Sequence, residues 1–195
     1  MRHCTWLLAL ALGGFALANA STAQAGLIPA AVNIANDGAN FRFTYSIQLP
    51  SDYTLKAGDY FTIYDFKGFV GATNAQPAGW TFGSAMTGVT PPHIAPVDDA
   101  GLANLTWTYH GANTVGPVML GNFSADSIFG GSQSGDFTSK DQGTADGRTV
   151  GSITGTLVPE ADLHRGAPEP ISWALLALSL PVIGAWRLVR RNRRP

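Results

Sequence analysis

From Asn40 to Leu49 the chain alternates without a break. Phe41, Phe43, Tyr45, Ile47 and Leu49 fall on one side, and Arg42, Thr44, Ser46 and Gln48 on the other. Successive side chains of a strand point to opposite faces, so this run specifies a strand with one face in a core and one in water. A helix would scatter those apolar residues around its circumference. The same reading extends to Asp59 to Phe66, which has aromatics on both faces, to Gly79 to Ser84, and to Asn104 to His110, where Leu105, Trp107 and Tyr109 share a side. Val118 to Phe123 and Thr149 to Val158 read as further strands, and Gly135 to Lys140 as a weaker one. Turn-forming clusters separate them: SD at 51, AGD at 57, PP at 91, DDAG at 98, GGSQSG at 130 and DQGTADG at 141. No helical period interrupts residues 26–165. Short strands at this spacing predict an all-β fold, an antiparallel β-sandwich of about seven or eight strands over residues 26–158. The polar, proline-bearing stretch 159–167 reads as a linker.

Charge narrows the choice of partner. The 195-residue chain is 13% charged, about half the ~25% usual for soluble domains. All 13 acids lie between Asp37 and Glu169, while half of the 12 bases sit in the two ends. The stretch 26–170 is therefore acidic, with Arg42, Lys56, Lys67, Lys140, Arg148 and Arg165 as its bases. Binding nucleic acid requires a basic patch that displaces counterions from phosphates. This stretch offers none, so no nucleic-acid partner is expected. The single cysteine, Cys4, excludes a disulfide scaffold and a zinc–thiolate site.

The two ends read as addresses. Arg2 and His3 precede an apolar run from Trp6 to Ala18, followed by small polar residues that end in Ala23-Gln24-Ala25. Small side chains at the first and third positions before the cut are what signal peptidase accepts, which predicts a signal peptide over 1–25 with cleavage before Gly26. A retained N-terminal anchor is the plainer alternative, but the run is short for a span. At the other end, the apolar stretch 171–186 makes about 24 Å of helix, and about 28 Å if continued through Val189, close to a ~30 Å hydrocarbon core. A single transmembrane helix is expected over 171–189, bent at Pro181. Arg187, Arg190, Arg191, Arg193 and Arg194 follow it and form a stop-transfer cluster. Their positive charge favours a cytoplasmic C-terminus and leaves residues 26–170 on the far side of the inner membrane.

Pro168-Glu169-Pro170, a short apolar helix and a terminal arginine cluster together resemble the PEP-CTERM sorting signal, the tail of exported proteins in Gram-negative, often exopolysaccharide-producing bacteria. The resemblance covers residues 168–195. Ala167 stands where Val is common, and Pro181 interrupts the usual helix, yet no motif element is missing. In that family a membrane-embedded transpeptidase, exosortase, processes the tail near the motif. The resemblance therefore implies exosortase as a partner, Pro168, Glu169 and Pro170 as the sorting motif, and a destination at the cell surface or in the exopolysaccharide matrix. An ordinary single-span anchor is the alternative, and it leaves the topology unchanged. Central segments such as Ile63 to Phe69 and Gln76 to Trp80 also resemble stretches of other exported proteins of this kind, without bringing functional residues with them.

The middle of the chain offers little catalytic chemistry. His93, His110 and His164 have no metal-ligand spacing, no Gly-x-Ser-x-Gly elbow occurs, and both glutamates after residue 25 lie beyond the strands. Asp59 and Asp65 could pair as carboxylates, but Asp65 beside Lys67 more simply makes a surface ion pair. Asp98, Asp99, Asp136, Asp141 and Asp146 in glycine-rich loops could offer calcium hard oxygen ligands. Loop aspartates more often bond their own backbone, so no cofactor is expected. A non-catalytic exported protein is the leading reading. The rival is a carbohydrate-binding module that stacks sugars on Tyr53, Tyr60, Tyr64, Trp80, Trp107 or Tyr109. Trp107 reads as core, and Trp80, just after a turn, is the better candidate for ligand contact.

Overall fold

The computed structural model describes residues 26–161. The expected signal peptide, the membrane helix 171–189, the Pro168-Glu169-Pro170 motif and the arginine cluster lie outside them. The described residues form eleven strands and no helix: β1 (Ile28–Asp37), β2 (Asn40–Leu49), β3 (Tyr53–Leu55), β4 (Tyr60–Phe66), β5 (Phe69–Ala75), β6 (Trp80–Ala85), β7 (Ala103–Tyr109), β8 (Thr114–Val115), β9 (Val118–Ser127), β10 (Gly131–Gly143) and β11 (Thr149–Glu160). They make two antiparallel sheets. One has the order β1-β2-β9-β5. The other runs β6-β7-β4-β10-β3-β8, with β11 along the free side of β10.

The sheets pack face to face through the residues that alternation puts inside. Phe43, Tyr45, Ile47 and Leu49 of β2 are fully buried, with Phe123 and Ala125 of β9 beside them. Opposite lie Phe61, Ile63 and Phe66 of β4, Leu105 and Trp107 of β7, and Phe137 of β10. Phe61 is the hub of this core. Its ring stacks on Trp107 and Phe137 at 5.2 Å, meets Phe123 edge-on at 4.9 Å and tilts against Trp80 at 5.6 Å. Offset and edge-to-face geometries suit the ring quadrupoles, and each such pair adds about 0.5–1.5 kcal/mol beyond area burial. Tyr45 ties the two sheets together by a hydrogen bond, its hydroxyl donating to the Leu157 carbonyl at 2.9 Å.

The seven strands anticipated from alternation all exist, and β1, β3, β5 and β8 come in addition. Residues 131–135, expected in a turn, belong to β10 and pair with Thr156 to Glu160. Small Gly and Ser side chains suit that register, because β11 lies close against them. A Cβ at Gly135 would come within 2.7 Å of Val158. Asp141 to Gly143 likewise continue β10, and the turn narrows to residues 144–147. Strand β11 runs to Glu160, two residues past the expected domain boundary, with Pro159 buried and Val158 in the core.

Between β6 and β7 the chain does not turn directly. Residues 86–102 form a strap across the outer face of the seven-stranded sheet. Thr62 and Tyr64, which alternation turns outward, both donate to the Val89 carbonyl at 2.9 Å. Pro91 lies buried over Gly151, where a Cβ would meet its ring at 2.8 Å. The strap explains why β4 is buried on both faces.

Candidate functional site

Two places concentrate polar groups. The first lies inside the sandwich, where the chain enters it. In β10, Phe137, Ser139 and Asp141 share the inward face, so the strand that supplies an aromatic to the core also supplies a hydroxyl and a carboxyl. Asp141 is fully buried. Its Oδ2 accepts the Leu27 N–H at 2.8 Å and the Ser139 hydroxyl at 3.1 Å, while Oδ1 has no partner. Ser139 Oγ also accepts the Leu27 N–H at 3.0 Å and is 2.8 Å from Ser152 Oγ of β11. Burial pushes the Asp141 carboxyl up to about 6, against the opposing pull of the Leu27 N–H and the Ser139 hydroxyl, and the nearby charge of Asp59 pushes it further up. A carboxyl so raised binds its proton more tightly folded than unfolded. With no counter-charge at this corner, the fold therefore loses stability as pH rises from about 4 to about 6, and the protonated form is the one it prefers.

Asp59, just before β4, is also buried, but its partners are complete. Oδ2 accepts the Lys56 N–H at 2.8 Å, and Oδ1 accepts Gln142 Nε2 at 3.1 Å with Lys140 Nζ at 3.7 Å. Asp59 and Asp65 have different tasks: Asp59 locks a turn, and Asp65 serves the strap. Asp65 does not pair with Lys67. It sits in the left-handed region at φ 55°, accepts the Asp99 N–H at 2.8 Å, and its own N–H goes to Asn104 Oδ1 at 2.9 Å.

The second place is the outer face of β6 and β7 beside the strap. Thr81, Gly83, Thr106 and Thr108 floor a groove of about 270 Å³, with Ser84 and Val89 along its rim. Hydroxyls at period-two spacing give it polar contacts, and β6 leaves one backbone edge unpaired among the described residues. His110, at the end of β7, lies 2.8 Å from Thr81 Oγ1 through Nε2.

The anticipated site residues distribute differently. Trp80 is only 7% exposed; its ring packs on Tyr109 at 5.0 Å and on Phe123 at 4.9 Å, leaving no face for a ligand. It points inward because it opens β6 opposite Tyr109. Trp107, Tyr53, Tyr64 and Tyr109 are buried as well. Tyr60 is half-buried beneath Lys140, whose Nζ stands 5.4 Å from the ring centre. The aspartates expected in loops divide. Asp136 and Asp141 belong to β10, because that strand is longer than its hydrophobicity suggests. Asp98 accepts the Gly88 N–H and Asn104 Nδ2, Asp99 accepts Gly101 N–H, Asp136 accepts Val97 N–H and Asp146 accepts Arg148 N–H. Among the described residues no group of three or more acidic, histidine or cysteine side chains is arranged to hold a metal ion.

Sequence reasoning missed the Leu27–Ser139–Asp141–Ser152 cluster. The signal was present: Phe137, Ser139 and Asp141 have one parity, and the expected strand stopped one residue short of showing it. Comparison with protein-family models and with curated proteins finds no match to this chain.

Proposed function

We propose that this chain is a non-catalytic exported protein of the cell surface or extracellular matrix. Its β-sandwich is the cargo, and its C-terminal tail is sorted and processed by an exosortase-type transpeptidase. The observation that supports this most is that the stretch between the two expected addresses builds two antiparallel sheets around one aromatic core, with strands from Ile28 to Glu160. Gly26, the first residue after the expected cut, is already buried, and Glu160 is paired to Gly131 eight residues before Pro168. Of the buried carboxyls, Asp59 locks a turn, Asp126 is paired with Arg42 and Asp141 holds the entry of the chain, which suits a structural cargo.

In this reading the apolar stretch 171–189 stops translocation and the arginines hold the C-terminus inside. The prolines keep Glu169 extended for an enzyme cleft. Changing Arg190, Arg191, Arg193 and Arg194 together to Asn is expected to release the precursor from the membrane and to lower tail processing. Fractionation and intact-mass measurement in the native host check this. Unchanged membrane residence with unchanged processing would overturn it.

A second reading, glycan binding, is favoured by the threonine-floored groove beside β6 rather than by any exposed aromatic. Retention of the exported protein on polysaccharide, lost in Thr106→Lys and Thr108→Lys, would support it. Equal retention of wild type and variants would remove the groove from consideration.

A further inference from the structure

The entry of the chain into the sandwich is built around a carboxyl with an unfilled side. Asp141 is completely buried, Oδ1 has no hydrogen-bond partner, and none of the ion pairs among the described residues involves it. The groups facing it are Ser139 of its own strand, Ser152 of β11, the Leu27 N–H, Asp59 ahead of β4 and Tyr53 of β3. None of these is a cation. Lys140, its neighbour in sequence, points to the other face of β10, with Nζ on the Gly58 carbonyl at 2.8 Å. A buried carboxylate without counter-charge is costly, and the neighbouring Asp59 makes it costlier.

Gly26 is the residue packed against this carboxyl. A Cβ built on Gly26 would collide with Asp141 Oδ2 and come within 2.7 Å of Ser139 Oγ, so the backbone itself lies on the carboxylate. The Gly26 nitrogen, one bond from the same Cα, is therefore within roughly 4–5 Å of Oδ2. In an uncut chain that nitrogen is a neutral amide with at most one N–H to give. After a cut before Gly26 it is an ammonium with three.

We propose that removal of the leader completes the fold: the Gly26 ammonium freed by cleavage docks on the Asp141 carboxylate as a buried ion pair that fastens β1 into the sandwich. This rests on the reading of residues 1–25 as a signal peptide cut before Gly26. The step is hydrolysis. One water adds across the Ala25–Gly26 bond, leaving the carboxylate on Ala25 and the protonated amine on Gly26. Because Gly26 and Leu27 are buried in the fold, the cut precedes the seating of this corner. The ammonium then supplies the counter-charge that Asp141 lacks, and a glycine is required because no side chain fits at the position.

The test uses the full-length chain exported by a Gram-negative host. Terminal sequencing establishes the first residue, and the native protein is then treated with an amine-acylating reagent over a range of pH, with peptide mapping. The Gly26 amine is expected to react at least tenfold more slowly in the native protein than in urea, with Lys67 as the internal control. It is expected to titrate above the ordinary 7.7–8.0 of a free terminus. In Asp141→Asn, protection of Gly26 is expected to fall about tenfold, while Ser139→Ala retains most of it. A terminus at Gly26 that reacts equally fast in native and unfolded protein would overturn the ion pair while leaving export intact. A different terminus would overturn the cleavage reading, and the ion pair with it. If Asp141→Asn does not fold, the wild-type reactivity and titration decide alone.

Discussion

Asp126 on β9 is 4% exposed and faces away from the aromatic core, so its charge must be met locally. Arg42, directly opposite in the β2–β9 register, does this with a fork: Nε to Oδ1 at 2.8 Å and Nη2 to Oδ2 at 3.3 Å. The same guanidinium reaches Asp37 at 2.7 Å. Two-point contact and partial burial make the pair stronger than a surface ion pair. Breaking it from one side leaves a desolvated carboxylate without a partner. Arg42→Leu is therefore expected to cost about 2–4 kcal/mol in urea unfolding. Arg42→Leu with Asp126→Asn should recover about half of that, because the neutral amide keeps the shape without the charge. Strictly additive losses in the double variant would show that the two residues do not act on one another. The sequence displays Arg42 and Asp126 only as two distant charges. Nothing in a single strand's alternation says which outward position on β9 will stand beside Arg42, since that is fixed by register.

At the level of elements, legibility followed amphipathicity. Strand β2 is readable to the residue because it lies inside a sheet with one face buried and one open, the case in which the pattern is strongest. Strand β1 is not, because IPAAVNIAND lies at a sheet edge, half exposed, and contributes small residues rather than large ones. β10 failed for the opposite reason. It is central and long, covered by β11 on one side and by β4 and β3 on the other, and its Gly and Ser residues answer to close packing rather than to turning. The strap over residues 86–102 is likewise invisible in the pattern, since a segment that covers a sheet face without joining it has no period. Its attachment is testable at Tyr64, whose hydroxyl donates to Val89 O at 2.9 Å and lies 2.8 Å from Thr90 Oγ1. Tyr64→Phe is expected to lower stability by about 1–2 kcal/mol. Amide exchange should quicken at Gly88, Ile94 and Val97, while the amides of β2 and β9 exchange as before. An equal acceleration throughout would mean that the strap is no separate unit but part of the global unfolding.

For the whole molecule the decisive boundary is the end of β11. This strand is the last partner of β10, pairing it along its whole length from Gln142↔Thr149 to Gly131↔Glu160. It also covers the core: Val158 is 1% exposed, and the Leu157 carbonyl receives the Tyr45 hydroxyl from the opposite sheet. The chain therefore reaches its final sheet only when residue 160 is available, after which the proposed sorting tail follows. If the tail is an address and not a part of the fold, a stop after Ala161 should leave urea unfolding of the exported protein unchanged to within about 0.5 kcal/mol. A stop after Leu157 should behave differently. It removes Val158 from the core and the last three rungs of the β10–β11 ladder, and a loss of about 2–4 kcal/mol is expected from the apolar truncation and the exposed strand end. The comparison is made on protein exported through the same leader, so that both chains begin at the same residue. A stop after Ala161 that unfolds as readily as the stop after Leu157 would mean that residues 162–195 contribute to the sandwich itself, and the division of the chain into cargo and address would fail.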